Sequence, residues 1–145
     1  MTRIDFYTDA ADKAEVACRL AGKAMQQKLR VLIVAPTQDQ LQRVNRMLWT
    51  HPPIGFVPHC LAQEPIAAET PVLLSHNADD PPHDQVLINL GDERPSSFAR
   101  FARLVEIVSN DEEDKRLARE RFRFYRDRGY EIHTHKLPSD AGGAP

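Results

Sequence analysis

The residues best placed to do chemistry lie in one stretch, Asp111–Arg128, DEEDKRLARERFRFYRDR. It opens with four carboxylates, Asp111, Glu112, Glu113 and Asp114. Seven Lys/Arg follow (115, 116, 119, 121, 123, 126, 128) against two acids, Glu120 and Asp127. The chemistry such a set supports is capture of an anion. No Gly or Pro interrupts the run until Gly129, so a helix is predicted. The charge order suits it, with acids at the positive end of the dipole and bases toward the negative end. At about 100° per residue, Lys115, Arg126, Arg119, Arg123 and Arg116 fall within roughly a third of the circumference, and Phe122 sits at the seam. Leu117, Phe124, Tyr125 and Ala118 take the opposite side, with Arg121 and Arg128 among them. Such a helix buries one face and offers the other to something negative. Like charges at i,i+4 (Lys115–Arg119, Arg119–Arg123) cost stability unless an anion compensates. The plainer reading is a solvated face, with pairs from Lys115 or Arg119 to Glu112, Glu113 or Glu120. The acidic start reads as a dipole-matched helix opening.

Other constellations are weaker. There are six histidines, and His133-x-His135 would place two rings on one strand face. No Cys or acid stands at a recognisable ligand spacing from them, so no metal is expected. His59 and Cys60 are adjacent, which on an extended segment turns them to opposite faces and makes a shared thiol centre awkward. Cys60 reads as a buried structural thiol. Ser96-Ser97 lacks a nucleophile-elbow context. Neither G-x-G-x-x-G nor G-x-x-x-x-G-K-[ST] occurs, so no nucleotide cofactor is expected. Trp49 is followed by Pro52, Pro53, Ile54 and Phe56, a proline-stiffened set of large apolar groups that suits an interface. A local plug of the core beneath its own turn fits equally well.

The elements that must position these residues follow from the pattern. The chain has 145 residues, 41% hydrophobic and 28% charged, enough for one domain with a core. A net charge of −2 makes the whole molecule no nucleic-acid magnet, so anion binding must be local. Two cysteines give no disulfide framework, and neither a signal peptide nor a membrane-spanning run is visible. A soluble cytoplasmic protein is expected. Arg3–Thr8 reads as a first strand and Asp9–Gln27 as a helix capped by Asp9 or Asp12, with Val16, Leu20 and Ala24 as its stripe. Arg30–Ala35 reads as a strand buried on both faces. Thr37 with Gln40 forms a capping box for a second helix, with Leu41, Val44, Leu48 and Trp49 along its buried side. Strand, helix, strand, helix points to an α/β domain with right-handed crossovers. Pro71–Ser75 and Gln85–Leu90 are further strand candidates around an exposed loop, Ser75–Asp84. Ser96–Arg100 suits a short helix, Phe101–Ser109 is another apolar run, and Tyr130–His135 is a closing strand. Leu137–Pro145 reads as a mobile tail after a single domain over residues 1–136.

Leu117–Arg126 (LARERFRFYR) with Gly129-Tyr130 resembles the C-terminal helix signature of the chi subunit of bacterial DNA polymerase III. Trp49 with Phe56-Val57-Pro58-His59 resembles a second block of that family, and the opening I-D-F-Y is similar too. The resemblance runs from Arg3 to about His135. It implies a Rossmann-like three-layer α/β fold, a mostly parallel sheet flanked by helices, with no catalytic activity of its own. It further implies a clamp-loader accessory role: tethering to single-stranded DNA-binding protein through that protein's acidic C-terminal tail, which ends in an apolar dipeptide and a free carboxylate. Lys115, Arg119, Phe122 and Arg123 correspond to the family's tail-binding residues, and Arg126 shares their arc. Phe122 stands where a tyrosine can occur. Trp49, Phe56, Val57 and Pro58 match the surface that meets the psi subunit, with a helicase-like protein as a further candidate. DNA would then be met only indirectly. The alternative is direct binding of single-stranded nucleic acid by the same arc, for which Phe122 is the one plausible stacking platform. A Rossmann-type enzyme is the third reading, opposed by the missing glycine loops.

Overall fold

The structure, a computed structural model, describes residues 2–50, 59–62, 64, 70–79, 81 and 83–137. Its elements run β1 (Arg3–Ala10), α1 (Lys13–Gln26), β2 (Val31–Val34), α2 (Gln38–Thr50), β3 (His59–Leu61), β4 (Val72–Ser75) and β5 (Val86–Asn89). A 3-10 turn at Phe98–Arg100, β6 (Arg103–Ser109), α3 (Glu112–Asp127) and β7 (Glu131–Lys136) follow. The strands form one seven-stranded sheet in the order β3-β4-β2-β5-β6-β1-β7, and every pairing is parallel.

A parallel sheet must be covered on both faces, which is why its inner strands read as unbroken apolar runs. All four residues of β2 are buried, Val31 and Ile33 under α1 and α2, Leu32 and Val34 under α3. The result is a three-layer α/β fold of Rossmann-like type. Small residues let α1 approach closely: Ala14, Ala17, Cys18 and Ala21 are all buried, and the Cys18 thiol lies 3.8 Å from the Val44 carbonyl of α2. On the other face Phe6, Leu104, Phe98, Phe101 and Tyr125 make the second core.

Several boundaries differ from the sequence reading for local reasons. β1 runs on to Ala10, and Asp9 has φ +64, a conformation that cannot open a helix. Asp12 is therefore the cap, its carboxylate accepting from the Ala14 and Glu15 N–H groups. The Thr37–Gln40 box forms as expected, Thr37 Oγ1 accepting from the Gln40 N–H at 3.1 Å and Gln40 Oε1 from the Thr37 N–H at 3.4 Å. Leu41, Val44 and Leu48 are buried, but Trp49 is 59% exposed, which corrects its place on the buried side of α2. The stripe is already filled by Leu48, and the next residue lies 100° away from it. β3 is a three-residue edge strand too short for a pattern to announce. In the 75–84 loop His76, Asn77, Asp79 and Asp84 are exposed as expected, but Ser75, Pro81 and His83 are half-buried and Ala78 is buried in the second core. Phe56, Val57, Pro58 and the tail from 138 onward lie outside the described residues.

Candidate functional site

The α3 helix is held at its start by the acids that the sequence places there. Asp111 caps it, accepting from the Asp114 N–H at 3.1 Å. Asp114 is itself buried and accepts from the Ser109 N–H at 2.8 Å and from Lys13 Nζ at 3.2 Å. Burial alone would raise the Asp114 pKa, but the Ser109 N–H and the Lys13 ammonium outweigh it and hold the carboxyl below its ordinary range. Glu113 and Glu120 both pair with Arg116, at 2.6 and 2.9 Å, which takes Arg116 out of the set of available cations. Glu112 lies 3.7 Å from Lys115.

The middle of α3 is locked to the sheet by a polar network. Glu106 of β6 is fully buried and accepts from Asn89 Nδ2 at 2.9 Å, Arg121 Nε at 3.2 Å and Tyr125 Oη at 2.6 Å. Burial pushes the Glu106 carboxyl up against the pull of Arg121 and the two neutral donors. Burial and the same carboxylate also push the Tyr125 phenol up, so it remains a donor. Arg121 further donates to the Asp92 carbonyl at 2.6 Å, and Asn89 to the Glu93 carbonyl at 3.0 Å, which fixes the loop after β5. The sequence reading left this network unrecognised. Its signal was present: Arg121 in the middle of the apolar side of a helix, and one Glu inside the apolar run LVEIV.

With α3 so fixed, its two flanks face opposite ways. Phe124 packs edge-on against Phe98 and lies between the guanidinium groups of Arg94 and Arg128, at 3.6 and 3.7 Å from the ring centre. Phe122 tilts against Phe6 of β1, with ring centres 5.5 Å apart. On that second flank α3 and the carboxyl ends of β1 and β6 enclose an open groove of about 310 Å³. Phe6, Val108, Ala118 and Phe122 give it an apolar floor. Lys115 and Arg119 stand at its rim, with Thr8, Asp9, Ser109 and Thr134 completing the wall. The structure thus brings together three of the five residues expected to hold the ligand, Lys115, Arg119 and Phe122. Arg123 and Arg126 do not line the groove and are exposed further along the same flank. Among the described residues Arg119 and Arg123 make no ion pair, while Arg126 pairs with its neighbour Asp127 at 3.0 Å. Phe6, Thr8 and Thr134 carry no motif. They reach the groove through the β1–β7 register, which pairs Phe6 with Thr134.

An apolar slot with two cations at its lip suits a ligand that presents an apolar group beside a carboxylate. A larger cavity of about 440 Å³ lies at the carboxyl ends of β2 and β5, the switch point where doubly wound folds hold nucleotides. Here it is lined by Asp79, Asp92 and Glu93 against Arg94, a balance that opposes phosphate. Pro36 also fills the space over Gly91, since a Cβ there would meet its ring at 2.6 Å.

The remaining candidates sit elsewhere. His133 and His135 share a face as expected, but each has a carboxylate neighbour, Glu131 at 2.5 Å and Asp5 at 2.9 Å. No group of three or more His, Cys, Asp or Glu able to hold a metal occurs among the described residues. Cys18 and Cys60 are both buried, and burial pushes the Cys18 thiol up to about 12. No described helix is long and apolar enough to cross a membrane. Trp49 meets His59 of β3 edge-on, with ring centres 5.3 Å apart.

The comparisons with known proteins converge. A family model described as DNA polymerase III chi subunit, HolC, matches residues 1–133. The chain is 38% identical over 142 residues to DNA polymerase III subunit chi of Pseudomonas aeruginosa, covering 95% of this chain and 99% of that protein. It is 31% identical to the Haemophilus influenzae subunit over 124 residues, 85% of this chain and 86% of the relative. Against the Escherichia coli subunit the figures are 30% over 126 residues, 83% and 82%.

Proposed function

This chain belongs to the DNA polymerase III chi subunit family, a replication accessory subunit, and we propose that it serves the bacterial replisome as a non-catalytic adaptor. It ties the clamp loader to single-stranded DNA-binding protein by holding that protein's acidic C-terminal tail. The observation that carries this reading is the groove between α3 and β1, apolar at its floor and cationic at its rim. The tail's terminal ring enters beside Phe122 and Phe6, and its free carboxylate lies between Lys115 and Arg119. Acids further upstream meet Arg123 and Arg126. Charge-assisted hydrogen bonds supply much of the affinity, which for so short a peptide is on the order of micromolar. The contacts are exposed, so added salt weakens them.

Titration of a fluorescent tail peptide against the wild type and Arg119→Ala tests the reading. Equal affinity in the two proteins would sink it. An amidated peptide, lacking the terminal charge, is expected to bind more weakly for the same reason. The rival, direct binding of single-stranded DNA by this face, would be favoured by a tight gel shift in the absence of the binding protein.

A second surface completes the adaptor. Trp49, exposed at the end of α2, is the described member of the set Trp49, Phe56, Val57 and Pro58. A large exposed aromatic ring is a usual interface anchor. We assign this surface to the psi subunit or to another clamp-loader or helicase protein. Trp49→Ala should then abolish co-purification of that partner and leave tail binding intact. Loss of both together would contradict two separate surfaces.

A further inference from the structure

The basic flank of α3 lies beside an open sheet edge. β7 is the last strand of the sheet, six residues long, in unbroken register with β1 from Arg3↔Glu131 to Thr8↔Lys136. Natural edges are commonly shortened, bulged or blocked by proline, because a long flat edge invites another strand. The opposite edge, β3, has three residues. β7 has neither proline nor a break in register.

The direction of its backbone groups can be assigned. The Leu137 N–H donates to the Thr8 carbonyl at 2.9 Å, so it faces β1. In a parallel strand successive residues turn their N–H and C=O groups to alternate sides. Glu131, His133 and His135 therefore face β1, and Ile132, Thr134 and Lys136 face outward, where no eighth strand is present among the described residues. The side chains of Ile132 and Thr134 lie on the α3 face, one in the core below the helix and the other in the groove wall. The one acid of the strand, Glu131, turns to His133 on the far face.

Because α3 connects the carboxyl end of β6 to the start of β7, it runs against the strands. Lys115 and Arg119 are at the carboxyl ends of the strands, and Arg126 is near the start of β7. A peptide whose carboxylate meets the first pair and whose upstream acids meet Arg123 and Arg126 must run alongside β7 in the same sense as that strand. The geometry points to strand addition: the acidic tail binds as an eighth, parallel strand on β7, hydrogen-bonded to the outward backbone groups of Ile132 and Thr134. This rests on the tail-binding reading above and adds how the peptide backbone is held. Affinity then comes from the main chain as well as from the terminal carboxylate, and the charged flank sets the direction.

The first test changes only the peptide. Tail peptides carrying a single backbone N-methyl group, moved one residue at a time, are titrated against the wild type. Affinity should fall about fivefold or more at every second position upstream of the terminal residue, and little between, as expected for loss of one main-chain hydrogen bond. Thr134→Pro removes an outward N–H without touching the β1 ladder, and it should lose affinity relative to Thr134→Ala. If the unmodified peptide binds and Arg119→Ala weakens it, but N-methylation has no alternating effect, strand addition is overturned and tail binding stands. If the unmodified peptide fails to bind, both fall together.

Discussion

Arg119 and Arg121 stand two residues apart on one helix, and their surroundings could hardly differ more. Arg121 is 3% exposed and donates to the Asp92 carbonyl and to the buried Glu106 carboxylate, which also accepts from the Tyr125 hydroxyl. Arg119 is exposed on the groove rim and has no ion-pair partner among the described residues. A turn of about 200° separates the two side chains, and that turn decides which arginine is used up by the fold. The buried one fixes α3 against β6 and the loop after β5. The exposed one is left for another molecule. A cation is available for recognition only where the fold has not already matched it.

The largest effect is expected at Arg121. Arg121→Ala leaves the Glu106 carboxylate buried without its cation, and removing one partner of such a pair costs about 3–5 kcal/mol. Urea unfolding should show a loss of that order. Arg119→Ala should stay within about 0.5 kcal/mol of the wild type, as surface changes do. Similar losses in the two variants would show that burial does not separate their roles.

Affinity for the tail peptide should reverse the order. Arg119→Ala removes a charge-assisted contact worth about 1.5–3 kcal/mol, or roughly a tenfold to hundredfold weakening. Phe122 sharpens the picture further. Phe122→Tyr keeps the ring against Phe6 and should bind almost as the wild type, whereas Phe122→Ala opens the groove floor and should not. An intact response to Phe122→Ala would move the apolar subsite elsewhere.

A smaller effect is expected at the helix start, where the acids are matched by the fold as Arg121 is. Asp114 has its folded pKa below 3.8, so its contribution to stability is complete above that value. It is lost as pH falls through the lower, folded pKa. Asp114→Asn should therefore flatten the acid limb of a stability-against-pH curve below about pH 4. An unchanged limb would mean that the Ser109 and Lys13 contacts contribute little. Tail affinity at neutral pH should be unaffected.

Much of this architecture was legible because local signals agreed. The run RVLIVA, the Thr37–Gln40 box and the acidic-to-basic order of α3 each depend on neighbours in sequence. The parts that were not legible depend on distant pairing. Thr134 enters the groove wall because β7 lies beside β1, and 128 residues separate it from its partner Phe6. Arg121 looked like an interruption of an apolar face until Glu106, on another element, gave it a reason. Arg116 looked available on the wheel, which cannot show that Glu113 and Glu120 both reach it. Trp49 was misplaced by one residue of helical rotation.

That last case offers the mildest test, and it sets the second surface against the core beneath it. Leu48 is 2% exposed and its neighbour Trp49 is 59% exposed. If Trp49 serves only as an anchor for a partner, Trp49→Ala should change stability by no more than about 0.5 kcal/mol, because little area is returned to water. Leu48→Ala should cost about 2–5 kcal/mol through lost transfer energy and the cavity left behind. Trp49→Ala removes the edge contact with His59, and a ring pair of this kind contributes about 0.5–1.5 kcal/mol. A loss in urea unfolding nearer that of Leu48→Ala would show that the indole is a structural plug. A negligible one would leave the indole exposed for recognition, as Arg119 is on the other side of the sheet.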